Sequence, residues 1–317
     1  MPRQQQRWRL ACLAGAALLG AASAQTIRGF TANKPIVPSK DPDLVVELVW
    51  QFVQPAGNLD QPTQIKWLPG TEQVVTSHKT GTMRLYDSID AGVEDFIPFA
   101  NNQLDVDSEG DHGLLSFQFH PDFNVKAGVG SKYIFLLYSG NPKDVTLLPN
   151  NDVVAAVRPP TWGAGPPDPK GYTWGDGPCP DLGKDNMDGL ICEKVYYLDR
   201  YTYDPATRTA AKDMQLMEVM CGTSSTHGTG ELVLVGKDMV FAVGDGAQFV
   251  VFDPGFPTLN ACYVPGNGKD QGVFNAQRDD MLNGKVIKVP YAALDAAAPL
   301  TPADISFISR GSRQPLR

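Results

Sequence analysis

Short apolar runs separated by tight polar turns recur along the chain, and they predict strands rather than helices. Gln64-Ile65-Lys66-Trp67-Leu68, a Pro69-Gly70-Thr71 turn, Val74-Val75-Thr76, then Gly81 and Met83 to Tyr86 form one unit. Leu114 to Phe119, a His120-Pro121-Asp122-Phe123 turn and Tyr133 to Tyr138 form a second. A third holds Leu232 to Val235, a Gly236-Lys237-Asp238 turn, Met239 to Val243 and, later, Gly284 to Val289. Ile305 to Ile308, followed by Gly311, reads as the opening of a fourth, and Val45 to Val53 as a further strand near the start. Ile134 to Leu137 and Leu232 to Val235 are apolar without alternation, the pattern of strands covered on both faces. Repeated sheets stacked on one another cover strands in that way, so an all-β β-propeller is expected. A sandwich would alternate more cleanly.

Two stretches break the repeat. Residues 141–193 are rich in Pro, Gly and Asp and contain Trp162 and Trp174, and residues 250–275 form a second Gly/Pro/Asn segment. Both read as structured surface loops pinned by disulfides. The first 24 residues stand apart from the repeat. Arg3, Arg7 and Arg9 precede the apolar run Leu10 to Leu19, and Ala22-Ser23-Ala24 supplies small residues for cleavage. That order is expected of a secretory signal, and the run is short of the roughly 20 apolar residues that span a bilayer. Residues 25–42 then read as an extended lead-in. A secreted product, extracellular or periplasmic, is the expectation.

Composition agrees with many short strands: 31 glycines and 26 prolines in 317 residues. A net charge of −8 argues against a nucleic-acid partner, and no membrane span is expected. Beyond the signal, Cys179, Cys192, Cys221 and Cys262 form an even set, as disulfides in an exported chain require. Three connectivities are open. Cys179–Cys192 is favoured because the pair flanks one polar loop, and Cys221–Cys262 then follows. No CxxC spacing supports tetrahedral zinc.

The chemistry-bearing candidates centre on Ser225-Thr226-His227-Gly228-Thr229-Gly230 and Gly244-Asp245-Gly246. Strand, turn and strand connect the two, so His227 stands at the mouth of a unit that ends in a Gly-Asp-Gly loop. Glycines let backbone and ligand approach the ring, and an imidazole serves as a base at neutral pH. Asp245 reads either as a calcium ligand or as a cap of turn amides. Asp105, Asp107, Glu109 and Asp111 form an acidic cluster, a solvated loop or a cation site. His120 reads as a structural turn residue and His78 as a solvent-facing one, while His112 invites coupling with Asp111. No G-x-S-x-G elbow, P-loop or N-x-[ST] acceptor is present.

An ordered set of segments resembles the glucose/sorbosone dehydrogenase family, whose soluble members use pyrroloquinoline quinone (PQQ). The set is Gly110-Asp111-His112-Gly113-Leu114-Leu115, Phe119 to Phe123, His227 to Gly230, Gly244-Asp245-Gly246, Ala276-Gln277, Gly284-Lys285-Val286 and Gly311-Ser312-Arg313-Gln314-Pro315. The resemblance runs from about residue 43 to residue 317. It implies a six-bladed propeller of which about three blades are present, that is, the N-terminal part of the family's fold. A fragment, a truncated product or a subunit that needs a partner is therefore expected. It also implies PQQ and calcium as cofactors, an aldose sugar or polyol as substrate and an external electron acceptor. His227 matches the family's catalytic base and touches the cofactor in that scheme. Asp111 and Arg313 are implied to position substrate or stabilise charge and Gln314 to contact the cofactor, while Asp245 is the metal candidate read from its own glycine loop. Asp111 replaces a neutral amide and Gln314 an asparagine of the family pattern, so the sugar specificity is expected to differ. The rival expectation is an extracellular binding module, in which the Trp-containing loop 141–193 recruits a protein partner.

Overall fold

The computed structural model describes residues 61–102, 106, 108, 112–140, 145–147, 153–155, 194–222, 227–247, 272–279 and 281–312. The strand predicted over Val45 to Val53, the signal segment and most of loop 141–193 lie outside them.

The described residues build three four-stranded antiparallel sheets and one small hairpin. Sheet one runs β1 (Pro62–Trp67), β2 (Val74–His78), β3 (Thr82–Tyr86) and β4 (Phe96–Asn101) in chain order. Sheet two is β5 (Leu114–Phe119), β6 (Tyr133–Gly140), β9 (Lys194–Asp204) and β10 (Thr209–Gly222). The hairpin β7 (Val145–Leu147) and β8 (Val153–Ala155) falls between its second and third strands. Sheet three is β11 (Thr229–Val235), β12 (Asp238–Val243), β13 (Lys285–Val289) and β14 (Ser306–Arg310).

The sheets stack face to face, and sheet two is the middle layer. Along β6 the side chains alternate between two cores. Ile134, Leu136 and Tyr138 join Val75, Leu85 and Phe99 of sheet one. Phe135 and Leu137 join Leu232, Phe241 and Ile287 of sheet three. Both faces of β6 are thus dry, which explains its unbroken apolar run. Leu232 to Val235 differs from the expectation. Leu232 is buried, but Val233 is 38% and Val235 62% exposed. Sheet three has a covering sheet on one side only among the described residues, so β11 alternates.

Strands β1, β5 and β11 lie side by side, with β5 in the middle. Their side chains lace the sheets together. Gln64 Oε1 accepts from the Phe117 amide (2.8 Å) and the Ser116 hydroxyl (3.2 Å). Gln64 Nε2 donates to Glu231 (2.6 Å), and the Leu232 amide donates to Ser116 Oγ (2.9 Å). These bonds set the three first strands in register, so that corresponding strand ends meet at one end of the stack.

Two readings of the repeat are corrected. Ile305 to Ile308 does not open a fourth unit: β14 pairs with β13 and closes sheet three. His78 does not face solvent. It ends β2, is fully buried, and its Nε2 lies 3.1 Å from Thr76 Oγ1. The Lys79-Thr80-Gly81 turn that follows tucks against Gly113 of sheet two, where the Leu114 amide donates to Lys79 O (2.9 Å).

Candidate active site

The end of the stack that holds the starts of β5 and β11 also gathers His78, His112 and His227, one from each sheet, all buried. His227 carries the most specific geometry. Its backbone is left-handed, φ 56°, and only one other non-glycine among the described residues, Arg208, shares that region. A non-glycine held there costs about 1–3 kcal/mol and persists where its surroundings impose it, a pattern typical of functional sites.

The surroundings are explicit. Across the β11–β12 ladder Thr229 opposes Val243, which brings Gly244-Asp245-Gly246 against His227-Gly228. The Gly244 amide donates to Gly228 O (2.7 Å) and the Gly246 amide to His227 O (3.3 Å). A Cβ on Gly244 would lie 2.1 Å from His227 O, and one on Gly228 would lie 2.5 Å from Tyr196 Oη. Glycine is therefore required at both positions by close approach. The Tyr196 ring, packed edge-on to His112 with centroids 5.5 Å apart, supports Gly228 from sheet two.

His227 Nδ1 and Asp245 Oδ1 are 2.9 Å apart, and both side chains are 3% exposed. Asp245 Oδ1 also accepts from the Ala247 amide (3.1 Å). The side chain of Asn283 donates to Asp245 O (2.9 Å), and the Gly284 amide to Gly244 O (2.6 Å). A carboxylate on Nδ1 makes that nitrogen the donor, so proton exchange falls to Nε2. This is the base-and-orienter arrangement of acid–base catalysis.

Of the other residues singled out in the sequence, Asp111, Arg313 and Gln314 lie outside the described residues. So do Cys179, Cys192 and Cys262, and with them the disulfide pairing. Among the described residues no group of three or more His, Cys, Asp or Glu side chains could hold a metal ion. Asp245 Oδ1 is shared by His227 Nδ1 and the Ala247 amide. Sequence reasoning did not find Tyr196 or Asn283. Neither has a local signature, because their contacts cross from β9 and from the approach to β13.

The residues fit a polar ligand at this end. Thr229 Oγ1, two residues beyond His227, and Asn102 Nδ2, after β4, are buried without a hydrogen-bond partner. A carboxylated quinone would need hydrogen-bond donors, and these two groups are placed to supply them.

The opposite end is different. There His120 Nδ1 accepts from the Asp122 amide (3.1 Å), and Nε2 faces Asp295 Oδ2 at 3.5 Å. A cleft of about 550 Å³ opens between this turn, Lys132, Thr202 and Tyr291. His120 is 2% exposed, and its Nδ1 bond to the Asp122 amide caps the turn. Burial lowers its pKa from the usual 6.5, opposed by Asp295 and Asp122 and aided by Lys237 and Arg200. The unfolded chain therefore binds this proton first. The neutral ring's contribution is complete above about pH 6.5 and is lost as pH falls through that value toward the folded one. The melting temperature is expected to drop between pH 7.5 and pH 5. His120→Asn, whose amide oxygen can replace Nδ1, is expected to flatten the drop, and an unchanged slope would contradict this.

No family model matches the chain. Over 239 residues it is 26% identical to quinoprotein glucose dehydrogenase B of Acinetobacter calcoaceticus, covering 74% of this chain and 38% of that protein. The resemblance read from the sequence is thus borne out. Among solved structures it is similar to the apo form of the soluble aldose sugar dehydrogenase of Escherichia coli. The identity there is 18%, with 81% of this chain and 52% of that one covered and a TM-score of 0.43. A glucose dehydrogenase-type oxidoreductase of Thermus thermophilus is similar at 13% identity, covering 81% and 50%, with a TM-score of 0.41. The chain spans about two fifths of the curated relative and about half of each structure. No helix among the described residues is long and apolar enough to cross a membrane.

Proposed function

We propose that this chain, which is similar to a quinoprotein glucose dehydrogenase, is part of an exported oxidoreductase that removes hydride from an aldose or polyol carbon. The observation that carries the reading is His227: buried, held at φ 56°, with Nδ1 2.9 Å from the Asp245 carboxylate. The three sheets are read as successive blades of a propeller, six in the complete fold that the resemblance implies. Residues 1–24 are read as the signal and 43–317 as the blades.

When bound, PQQ with calcium would supply a two-electron hydride acceptor, to be regenerated by an external electron acceptor. The chain's own residues do the rest. Asp245 holds the imidazole so that Nε2 accepts the substrate hydroxyl proton as the C–H bond breaks and the carbonyl forms. The proton would rest on His227, and the hydride would pass with its electron pair to the quinone, which is reduced as the sugar carbon is oxidised. The buried pair keeps the transferred proton from water. Arg313 and Gln314 are assigned to the acceptor and Asp111 to the sugar, all on the resemblance.

The test is dye-linked turnover of the protein loaded with PQQ and calcium, across aldoses, polyols and simple alcohols. Turnover of aldoses or polyols above the rate with simple alcohols is expected. Equal background rates with every substrate would overturn the reading.

A further inference from the structure

Lys285 opens β13 and is completely buried. Its ammonium donates to Ala276 O and Asn283 O, each at 2.8 Å, with Asn275 O at 3.4 Å. A buried ammonium is costly unless several acceptors hold it. Three of the acceptors here are main-chain carbonyls, two from the 3-10 helix Gly272–Gln277 and one from the residue before Gly284. The geometry is tight. A Cβ on Gly284, itself at φ 69°, would lie 2.3 Å from Ala276 Cβ. Ala276 O also accepts from the Gly311 amide (3.2 Å), and the Ser312 amide donates to Gly284 O (3.0 Å), so the end of β14 is tied in as well.

This carbonyl cage touches the His227 site through two bonds. Asn283, whose carbonyl forms one wall, gives its side-chain amide to Asp245 O. Gly284, between that wall and Lys285, gives its own amide to Gly244 O. An uncharged side chain of equal length would leave these carbonyls facing a methyl group.

We propose that the Lys285 ammonium fills a main-chain carbonyl cage that positions the Gly244–Asp245 loop, and that the cage, once emptied, binds a small primary alkylammonium ion. Lys285 is thus a positioning residue acting through Asn283 and Gly284. Only the kinetic part of its test rests on the reading of His227 as a base.

Lys285→Ala is measured against the wild type by thermal unfolding at constant ionic strength, in ethylammonium, propylammonium or tetramethylammonium chloride and in propanol. The variant is expected to melt lower, and the two primary ammonium ions to raise its midpoint more than the wild type's. Tetramethylammonium has no N–H to donate and propanol no charge, so neither is expected to do so. In turnover assays the variant is expected to lose about 10- to 100-fold in kcat through displacement of the loop, with KM less affected, and to regain part of it with propylammonium. Lys285→Met fills the space without charge. It is expected to show a comparable kcat loss and no rescue. Should Lys285→Ala fail to fold, refolding in propylammonium is expected to recover it, and no recovery would overturn the proposal. So would the absence of an ammonium-specific shift, or wild-type kcat and melting in Lys285→Met. A wild type inactive on every aldose would end the base reading, while the thermal comparison would still decide the cage.

Discussion

Asp245→Asn is expected to lower kcat for aldose oxidation by about 10²- to 10⁴-fold, on the scale of losing general-base function or its orienting carboxylate. The reason lies in the two ways an amide can sit there. Asp245 Oδ1 serves His227 Nδ1 and the Ala247 amide together. If the amide oxygen takes that place, the ring keeps its orientation but loses the negative charge that faces it when the proton arrives. If the amide nitrogen takes it, Nδ1 must accept, and Nε2 then carries the hydrogen when it should receive one. The main chain at Asp245 is held independently by Asn283, so the fold is expected to survive. Steady-state kinetics with a melting curve on the same sample separate the two effects. Wild-type kcat in the variant would remove Asp245 from the mechanism.

Gly244→Ala is expected to destabilise the protein by about 3 kcal/mol or more, beyond an ordinary overpacked methyl group. The added Cβ would meet His227 O at 2.1 Å and Gly228 O at 2.6 Å. Both are main-chain atoms, and both strands are anchored: the Gly244 amide binds Gly228 O and the Gly284 amide binds Gly244 O. No rotamer change relieves the contact, so the ladder must part at the point that holds His227. Gly236→Ala is the control. That glycine has φ 65° but open space around it, so about 1 kcal/mol of backbone strain is expected. Denaturant midpoints rank the two, and equal costs would show that the Gly244 contact is relieved elsewhere.

The strands most visible in the sequence are those with both faces covered, such as β6. Their companions were hidden by local chemistry. β4 contains Pro98, which reads against a strand and is tolerated at the sheet edge. β9 carries Asp199 and Arg200, which look exposed but are buried with partners. Asp199 accepts from Tyr138 Oη (2.6 Å) and pairs with Lys212 (2.6 Å), while Arg200 pairs with Asp213. β10 carries Ala210, Ala211, Met214, Met217 and Met220, helix formers overridden by pairing along the whole of β9. His78 reads as exposed for a similar reason, since its polar neighbours resemble a solvent-facing turn until sheet two covers them.

The site was partly legible. The strand–turn–strand pattern places the Gly-Asp-Gly loop beside His227, and the β11–β12 register does so as well. The sequence left Asp245 divided between metal ligand and turn cap, because its partner lies 18 residues away and only a register resolves that contact. Tyr196 on β9, Asn283 on the turn before β13 and Lys285 at its start come from elsewhere in the chain, and no spacing rule connects them to His227.

The central claim is that His227 takes the substrate proton as hydride leaves. Rapid-mixing spectroscopy under anaerobic conditions tests it most directly, with PQQ-loaded wild type and His227→Gln mixed with saturating aldose. Reduction of the bound quinone in the wild type and at least about 100-fold slower reduction in the variant, with equal PQQ binding, is the predicted result. Equal reduction rates in the two proteins would contradict the account.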